Sequence, residues 1–319
     1  MSLALIIPVR DDQAKLTRLL AQAREMALFS QIIVVDDGSE HPAEVSSGID
    51  LLRHPASRGA GAARNTAVAQ VRCDHMMFFD SDDLFTPEFA PLWAEAQSEA
   101  FDFCIFRHQD SALRAQGFWG QLPADTGLWN MAGCLSSPLK RLGADGWWHL
   151  AETSNYPWNK IYRTAFFRDQ ALRCSETRVH NDIELHWRSF LTAKTVLTSN
   201  RIAALHVTTA EGGRITNVKS KARLELFVAL EALKEAFSTW PEASAARCAF
   251  LRFCSNLFIW AEATVTADIR PALRAHAAGF IRENLPKALF RALAETDPKT
   301  ALQLCLQMRS ADLSEGLPC

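Results

Sequence analysis

The sequence has no CxxC pair, no run of about 18 apolar residues and no surplus of positive charge. Each absence excludes something. The eight cysteines, Cys73, Cys104, Cys134, Cys174, Cys248, Cys254, Cys305 and Cys319, follow no regular spacing. That pattern fits a reduced, cytoplasmic protein with buried or idle thiols. Without a long apolar run, no membrane-spanning helix is expected. The opening MSLALIIPVRDD lacks the basic leader of a signal peptide and reads as a first strand. Lys and Arg number 34 against 36 Asp and Glu, a net charge of -2, so nucleic acid is not expected as a partner.

What is present points to a globular α/β protein. The 319 residues allow one large or two smaller domains, and 48% hydrophobic content supplies a sizeable core. LALIIPV (3–9), QIIVVDDGS (31–39), IDLLRHP (49–55), HMMFFD (75–80) and FDFCIF (101–106) read as strands, the first two buried on both faces. Helical patterns separate most of them. Leu16, Leu19, Leu20, Ala23, Met26 and Ala27 fall at helical spacing in the first, and Pro87 sits at the first turn of another. The alternation through about residue 106 predicts a doubly wound sheet.

Ligands of such sheets bind at the carboxyl ends of the strands. There the second strand ends in Asp36 and Asp37, and the fourth in Asp80, Asp82 and Asp83. Asp also favours turns and helix N-termini, which accounts for one or two of these acids. A DxDD cluster is better explained by a divalent cation, because like charges at close range raise one another's pKa unless a cation intervenes. Mg²⁺ or Mn²⁺ sharing its shell with a phosphate fits oxygen ligands of this kind. Gly59 and Gly61 do not form a dinucleotide loop, since that fingerprint follows the first strand and these follow the third. The Gly-rich loop of sugar nucleotidyltransferases is also missing after the first strand.

IIPVRDD, IIVVDDGS, GAGAARNTA and FFDSDD, in this order, resemble the nucleotide-sugar half of family 2 glycosyltransferases of the GT-A fold. YPWNKIYRTAFF (156–167) and VHNDIELHW (179–187) resemble that family's Trp-Asn-Lys and acceptor-site segments. The likeness covers about residues 3–217 and departs at Arg10, where an aromatic is usual, and at Asn181, where Glu is usual. It implies a Rossmann-like mixed sheet flanked by helices. It implies nucleoside contacts from Pro8 and Val9, a base contact from Asp37, a diphosphate contact from Arg64, and ribose and metal contacts from Asp80 and Asp82. Asp83 and His206 are further metal candidates, Arg214 a diphosphate clamp, and Asp182 the catalytic base of an inverting reaction. Lys160 is expected to position charge on the floor of the site. Six of nine tryptophans lie between residues 119 and 187, so Trp148 and Trp158 are expected to line an acceptor cleft.

The expected division is a nucleotide-sugar half (1–112), an acceptor half (113–217) and a helical C-terminal region (218–319). In that region Pro241, Pro271 and Pro286 separate helical patterns. RCAFLRFCSNLFIW there, with Arg247 and Arg252, offers a face for a membrane surface or a second subunit, with a buried core helix as the plainer reading. The functional expectation is a metal-dependent transferase using Mn²⁺ or Mg²⁺. It moves a UDP-linked hexosyl or N-acetylhexosaminyl group to a glycan or lipid-linked acceptor in surface polysaccharide synthesis. It would act in the cytoplasm at the inner face of the membrane. The alternative is a catalytically silent module of the same fold that binds nucleotide or glycan.

Overall fold

The computed structural model of the protein describes residues 1–143, 146–207, 219–241 and 244–315, with side chains through residue 309. The chain divides into two compact units, Met1–Gly212 and Gly213–Cys319.

The first unit runs β1 (Leu3–Val9), α1 (Gln13–Met26), β2 (Gln31–Asp36), β3 (Asp50–Arg53), α2 (Ala60–Val68), β4 (His75–Phe78), β5 (Leu84–Phe85), α3 (Phe89–Ala96) and β6 (Phe103–Asp110). It continues through α4 (Ser111–Ala115), α5 (Pro123–Met131), β7 (Lys140–Arg141), α6 (Trp147–Ala151), β8 (Lys160–Arg163), α7 (Thr164–Asp169), α8 (Ile183–Thr192) and β9 (Val196–His206). Among the described residues the strands form one sheet in the order β3-β2-β1-β4-β8-β6-β9-β5, with β7 on β9. β1 lies parallel to β2 and β4, whereas β8 enters antiparallel between β4 and β6. The sheet is therefore mixed, as expected.

Apolar side chains cover both faces. Leu16, Leu19, Leu20 and Ala23 of α1 join Phe89, Leu92 and Trp93 of α3 over one face. Helix α1 stops at Ala27, which adopts a left-handed backbone at φ 52° and donates to the Arg24 carbonyl. On the other face Phe78, Phe103 and Tyr162 meet Phe167 of α7 and Phe190 of α8. Burying one such side chain contributes about 1.5–3 kcal/mol.

Strands β3, β4 and β6 differ in length from expectation, β3 keeping only Asp50–Arg53. β4 ends at Phe78, although the Phe79 amide still donates to the Ile6 carbonyl at 2.9 Å. β6 runs on to Asp110 because β9 pairs with it up to His206, through a bulge at Arg107.

The second unit is helical, as expected. It contains a 3₁₀ turn at Lys221–Glu225 and then α9 (Leu226–Glu231), α10 (Lys234–Ser238), α11 (Ala245–Thr264), α12 (Arg270–Asn284), α13 (Lys287–Thr296) and α14 (Pro298–Glu315). Pro271 sits in the first turn of α12 and Pro286 directly precedes α13, positions where a missing N–H costs nothing. Phe250, Leu251, Cys254 and Phe258 bury one face of α11. Its Arg252 pairs with Asp297 at 2.6 Å. No described helix is long and apolar enough to cross a membrane. The seven described cysteines are free thiols.

Candidate active site

The chain builds β1, β2 and β3 to one side and then returns to place β4 on the other side of β1. This reversal opens a crevice at the carboxyl ends of β1 and β4, the usual ligand position in open sheets. Pro8 and Val9 close β1 there, both buried, with Val9 in register with Asp36. Asp36 is fully buried and holds its own loop together. It accepts from the Ser39 and Ala43 amides and pairs with Arg53 at 3.2 Å. Burial pushes its carboxyl up, but the Ser39 and Ala43 hydrogen bonds hold it below the ordinary range.

Asp37 is tied just as tightly. Its carboxylate meets His54 Nδ1 at 2.7 Å, the Ser57 hydroxyl at 2.7 Å, and the Arg58 and Gly59 amides at 2.9 and 2.8 Å. Four donors fill the acceptor sites of a carboxylate. In this conformation Asp37 therefore shapes the 54–59 loop that leads into α2. A base N–H reaches it only by displacing one donor, and of the two side-chain donors Ser57 is exposed while His54 is buried.

Arg64, on α2, is the hub of the crevice. It is 4% exposed. One guanidinium nitrogen donates to Asp80 at 2.5 Å and another to the Asn181 side-chain oxygen at 2.8 Å. Burial works against its charge, but Asp80 and Asp182 more than offset that and raise its pKa. Asp182 follows Asn181 at the N-terminus of α8. Burial pushes its carboxyl up to about 6, against the pull of Arg64 and Lys160.

Backbone contacts bring this segment to α2. Asn65 exchanges two hydrogen bonds of 2.9 Å with the backbone of Cys174. Ser175 donates to the Asn181 carbonyl, and His180 adopts a left-handed φ of 58° that turns the chain into Asn181. Gly61 permits the approach, since a Cβ there would stand 2.2 Å from the Ser175 carbonyl oxygen and 2.9 Å from Asn181 Cβ. Gly61→Ala is expected to separate the Arg64–Asn181 pair and to lower stability by more than about 1 kcal/mol, the overpacking range. A melting curve indistinguishable from that of the unsubstituted chain would contradict this.

The DxDD acids divide between roles. Asp80 and Asp82 are partly exposed, with Asp80 on Arg64. Asp83 is fully buried and bonds His206 Nδ1 at 2.9 Å and the Val207 amide at 2.9 Å. Its other oxygen is buried without a hydrogen-bond partner among the described residues, and burial raises its pKa to about 6. The structure thus makes Asp83 the partner of His206. Both bonds fall on Oδ1, which leaves Oδ2 as the oxygen not committed to His206 or Val207.

The donor set suits a divalent ion. The carboxylates of Asp80 and Asp82 are oxygen donors of the kind Mn²⁺ or Mg²⁺ takes, and Asp83 on Nδ1 of His206 is how a ligating histidine is usually oriented. No preassembled cage of three or more such side chains occurs among the described residues.

Lys160 is wholly buried rather than on the surface. Its ammonium donates to the Tyr156 carbonyl at 2.6 Å and to Asn159 Oδ1 at 2.8 Å, both neutral groups. Burial drops its pKa to about 7, while Asp182 and then Asp125 favour the charge. Trp158 does not line a cleft. It is 1% exposed in the core and stacks on both Tyr156 and His206, with centroids 4.6 and 5.3 Å away. It supports the imidazole instead, from the turn before β8 where it joins the apolar core. Trp147 and Trp148 stand on the helix α6 rather than a strand or loop, both partly buried, and Trp147 stacks on Phe190. Arg214 lies outside the described residues.

Sequence reasoning passed over Asn181 as a partner of Arg64 and Asp125 as a neighbour of Lys160. It also passed over Glu184, which is 2% exposed and holds Ser175 at 2.8 Å and Arg173. The N-D-I-E spacing at the head of α8 was the available signal, since a carboxylate one turn into a helix faces back toward its start.

The fold and the acid-and-arginine crevice define a GT-A-like transferase. The sequence profile described as glycosyl transferase family 2 matches residues 4–169, and the chain belongs to that family. A pre-mycofactocin glycosyltransferase of Mycobacterium tuberculosis is 41% identical over 83 residues, covering 24% of this chain and 17% of that protein. An uncharacterized glycosyltransferase of Haemophilus influenzae is 28% identical over 91 residues, 27% of this chain and 31% of that protein. The matched stretch thus spans under a third of either relative. Among solved structures, S. aureus TarS 1-349 in complex with UDP-GlcNAc superposes with a TM-score of 0.72 at 16% identity, covering 99% of this chain and 91% of that one. The same protein with UDP gives 0.65 at the same identity and coverage. At that identity the likeness establishes the fold.

Proposed function

We propose that this glycosyltransferase is metal-dependent and inverting. It takes a hexosyl or N-acetylhexosaminyl group from a UDP-sugar to a hydroxyl of a glycan or lipid-linked acceptor, in surface polysaccharide synthesis at the cytoplasmic face of a membrane. The observation that carries this reading is Arg64 joining Asp80 to the Asn181–Asp182 turn, which puts a cation and a base on one crevice. The nucleotide complexes of TarS support the choice of UDP.

In this reading Pro8 and Val9 border the nucleoside, and the base N–H replaces the Ser57 hydroxyl on Asp37. Arg64 faces the diphosphate and opposes the negative charge that grows as it leaves, an interaction stronger in the transition state than in the ground state. Asp80, Asp82 and His206 would hold a divalent ion, which supplies further neutralisation of that charge when bound. Asp182 takes the proton from the attacking hydroxyl. One base opposite one leaving group gives a single displacement with inversion. Lys160 keeps Asp182 ionised from below, Trp148 borders the acceptor side, and Arg214 closes on the diphosphate.

Incubation with a panel of UDP-sugars is expected to release UDP slowly with one donor and Mn²⁺, and the release stops on chelation. The same donor raises the melting temperature by preferential binding to the native state. A donor that stabilises the protein but is never turned over, with any metal or acceptor, would leave a silent binding module.

A further inference from the structure

The loop after α4 spends an unusual amount of buried polar structure on presenting two exposed rings. Phe118 and Trp119 are 60% and 71% exposed. Directly beneath them Gln109 is 1% exposed, and its side chain is committed to this loop and its own strand end. Its amide nitrogen reaches the Asp110, Phe118 and Gly120 carbonyls at 2.8, 3.3 and 3.3 Å, and its oxygen accepts from the Gly120 amide at 2.8 Å. The Asp110 amide adds a bond to the Gly120 carbonyl. Gly120 has φ 101°, a conformation closed to side-chain-bearing residues, and a Cβ there would lie 3.1 Å from an Arg107 nitrogen. The rings are therefore held outward by a rigid base.

The loop is also continuous with the crevice. Asp110, which receives it, pairs in register with His206 at the end of β9. Arg114 lies over the Trp119 ring, 5.9 Å from its centroid, and an Arg107 nitrogen lies beside Gly120 at the base of the loop.

We propose that Phe118 and Trp119 form a stacking platform for a sugar ring of the acceptor chain. This rests on the transferase reading above and names the acceptor-side contact of the same site. A pyranose presents polarised C–H groups on its face, which meet the negative face of an indole, while its hydroxyls suit the arginine N–H donors. A bilayer is the weaker fit, because two rings beside a cation offer far less apolar area than an interfacial helix.

The test uses the full chain labelled with ¹⁵N-tryptophan, the Trp119 indole signal being assigned by its loss in Trp119→Phe. Cellotetraose, chitotetraose and phosphatidylglycerol vesicles are titrated separately. A saturable shift of the Trp119 signal with a tetrasaccharide is expected. Binding of that tetrasaccharide, read by saturation transfer to its ring protons, should weaken about tenfold in Trp119→Ala and persist in Trp119→Phe. A shift with vesicles alone, no shift with either, or equal binding by Trp119→Ala would each overturn the platform. UDP release by the unsubstituted chain is read in parallel. Turnover with a silent Trp119 removes only the platform, whereas saccharide binding at Trp119 without turnover for any donor removes only the transferase reading.

Discussion

Asp182→Asn is expected to cut kcat by roughly 10²–10⁴, the usual contribution of a positioned general base. Donor binding, measured by thermal shift, should change little, because Arg64 and Asp80 remain. The substitution keeps the shape of the side chain and removes only its capacity to take a proton. The pH profile supplies a second readout. Asp182 must be ionised to act, and its pKa is about 6. Activity should therefore fall as pH drops through about 6 and level off above it. Lys160 lowers that value by its charge, so Lys160→Met should move the acid limb to higher pH. An acid limb that stays in place would show that Lys160 has no electrostatic hold on Asp182. Asp182→Asn with undiminished turnover would remove the base assignment altogether.

Arg64→Met should damage both stability and activity. The guanidinium is buried and satisfies Asp80 and Asn181 together. Its removal leaves the 2.5 Å partner Asp80 without a cation. Breaking a fully buried pair from one side costs about 3–5 kcal/mol, and the partial exposure of Asp80 lowers the cost here below that range. Asp80→Asn in the same chain should recover part of this, since the orphaned charge is then gone, while transfer stays lost. Urea unfolding followed by tryptophan fluorescence measures the first effect and UDP release the second. Arg64→Lys should also fail, as one ammonium on a flexible stem does not reproduce the planar fork that reaches both partners. If the double variant is no more stable than Arg64→Met, the coupling between Arg64 and Asp80 is not what holds the crevice.

The strands could be read from the chain because a sheet buried on both faces needs continuous apolar runs, and LALIIPV and QIIVV provide them. The acids at their ends were equally visible, since Asp at a strand terminus is a local feature. Lys160 was visible as a residue but not as a buried one. Its burial depends on β8 entering between β4 and β6, a pairing between residues 55 to 88 apart in number (160 − 105 and 163 − 75). Trp158 misled for a related reason, since its burial comes from its packing on Tyr156, His108 and His206, residues brought together only by the fold.

Composition, apolar periodicity and the order of short motifs were enough to establish an α/β transferase with a helical region after it, because strand and helix preferences act over a few residues. The division of labour among the acids was settled by folding. Asp83 turns to His206 across 123 residues, and Arg64 meets Asn181 across 117. Such partners are chosen by backbone approach and burial, which exist only once the sheet has assembled.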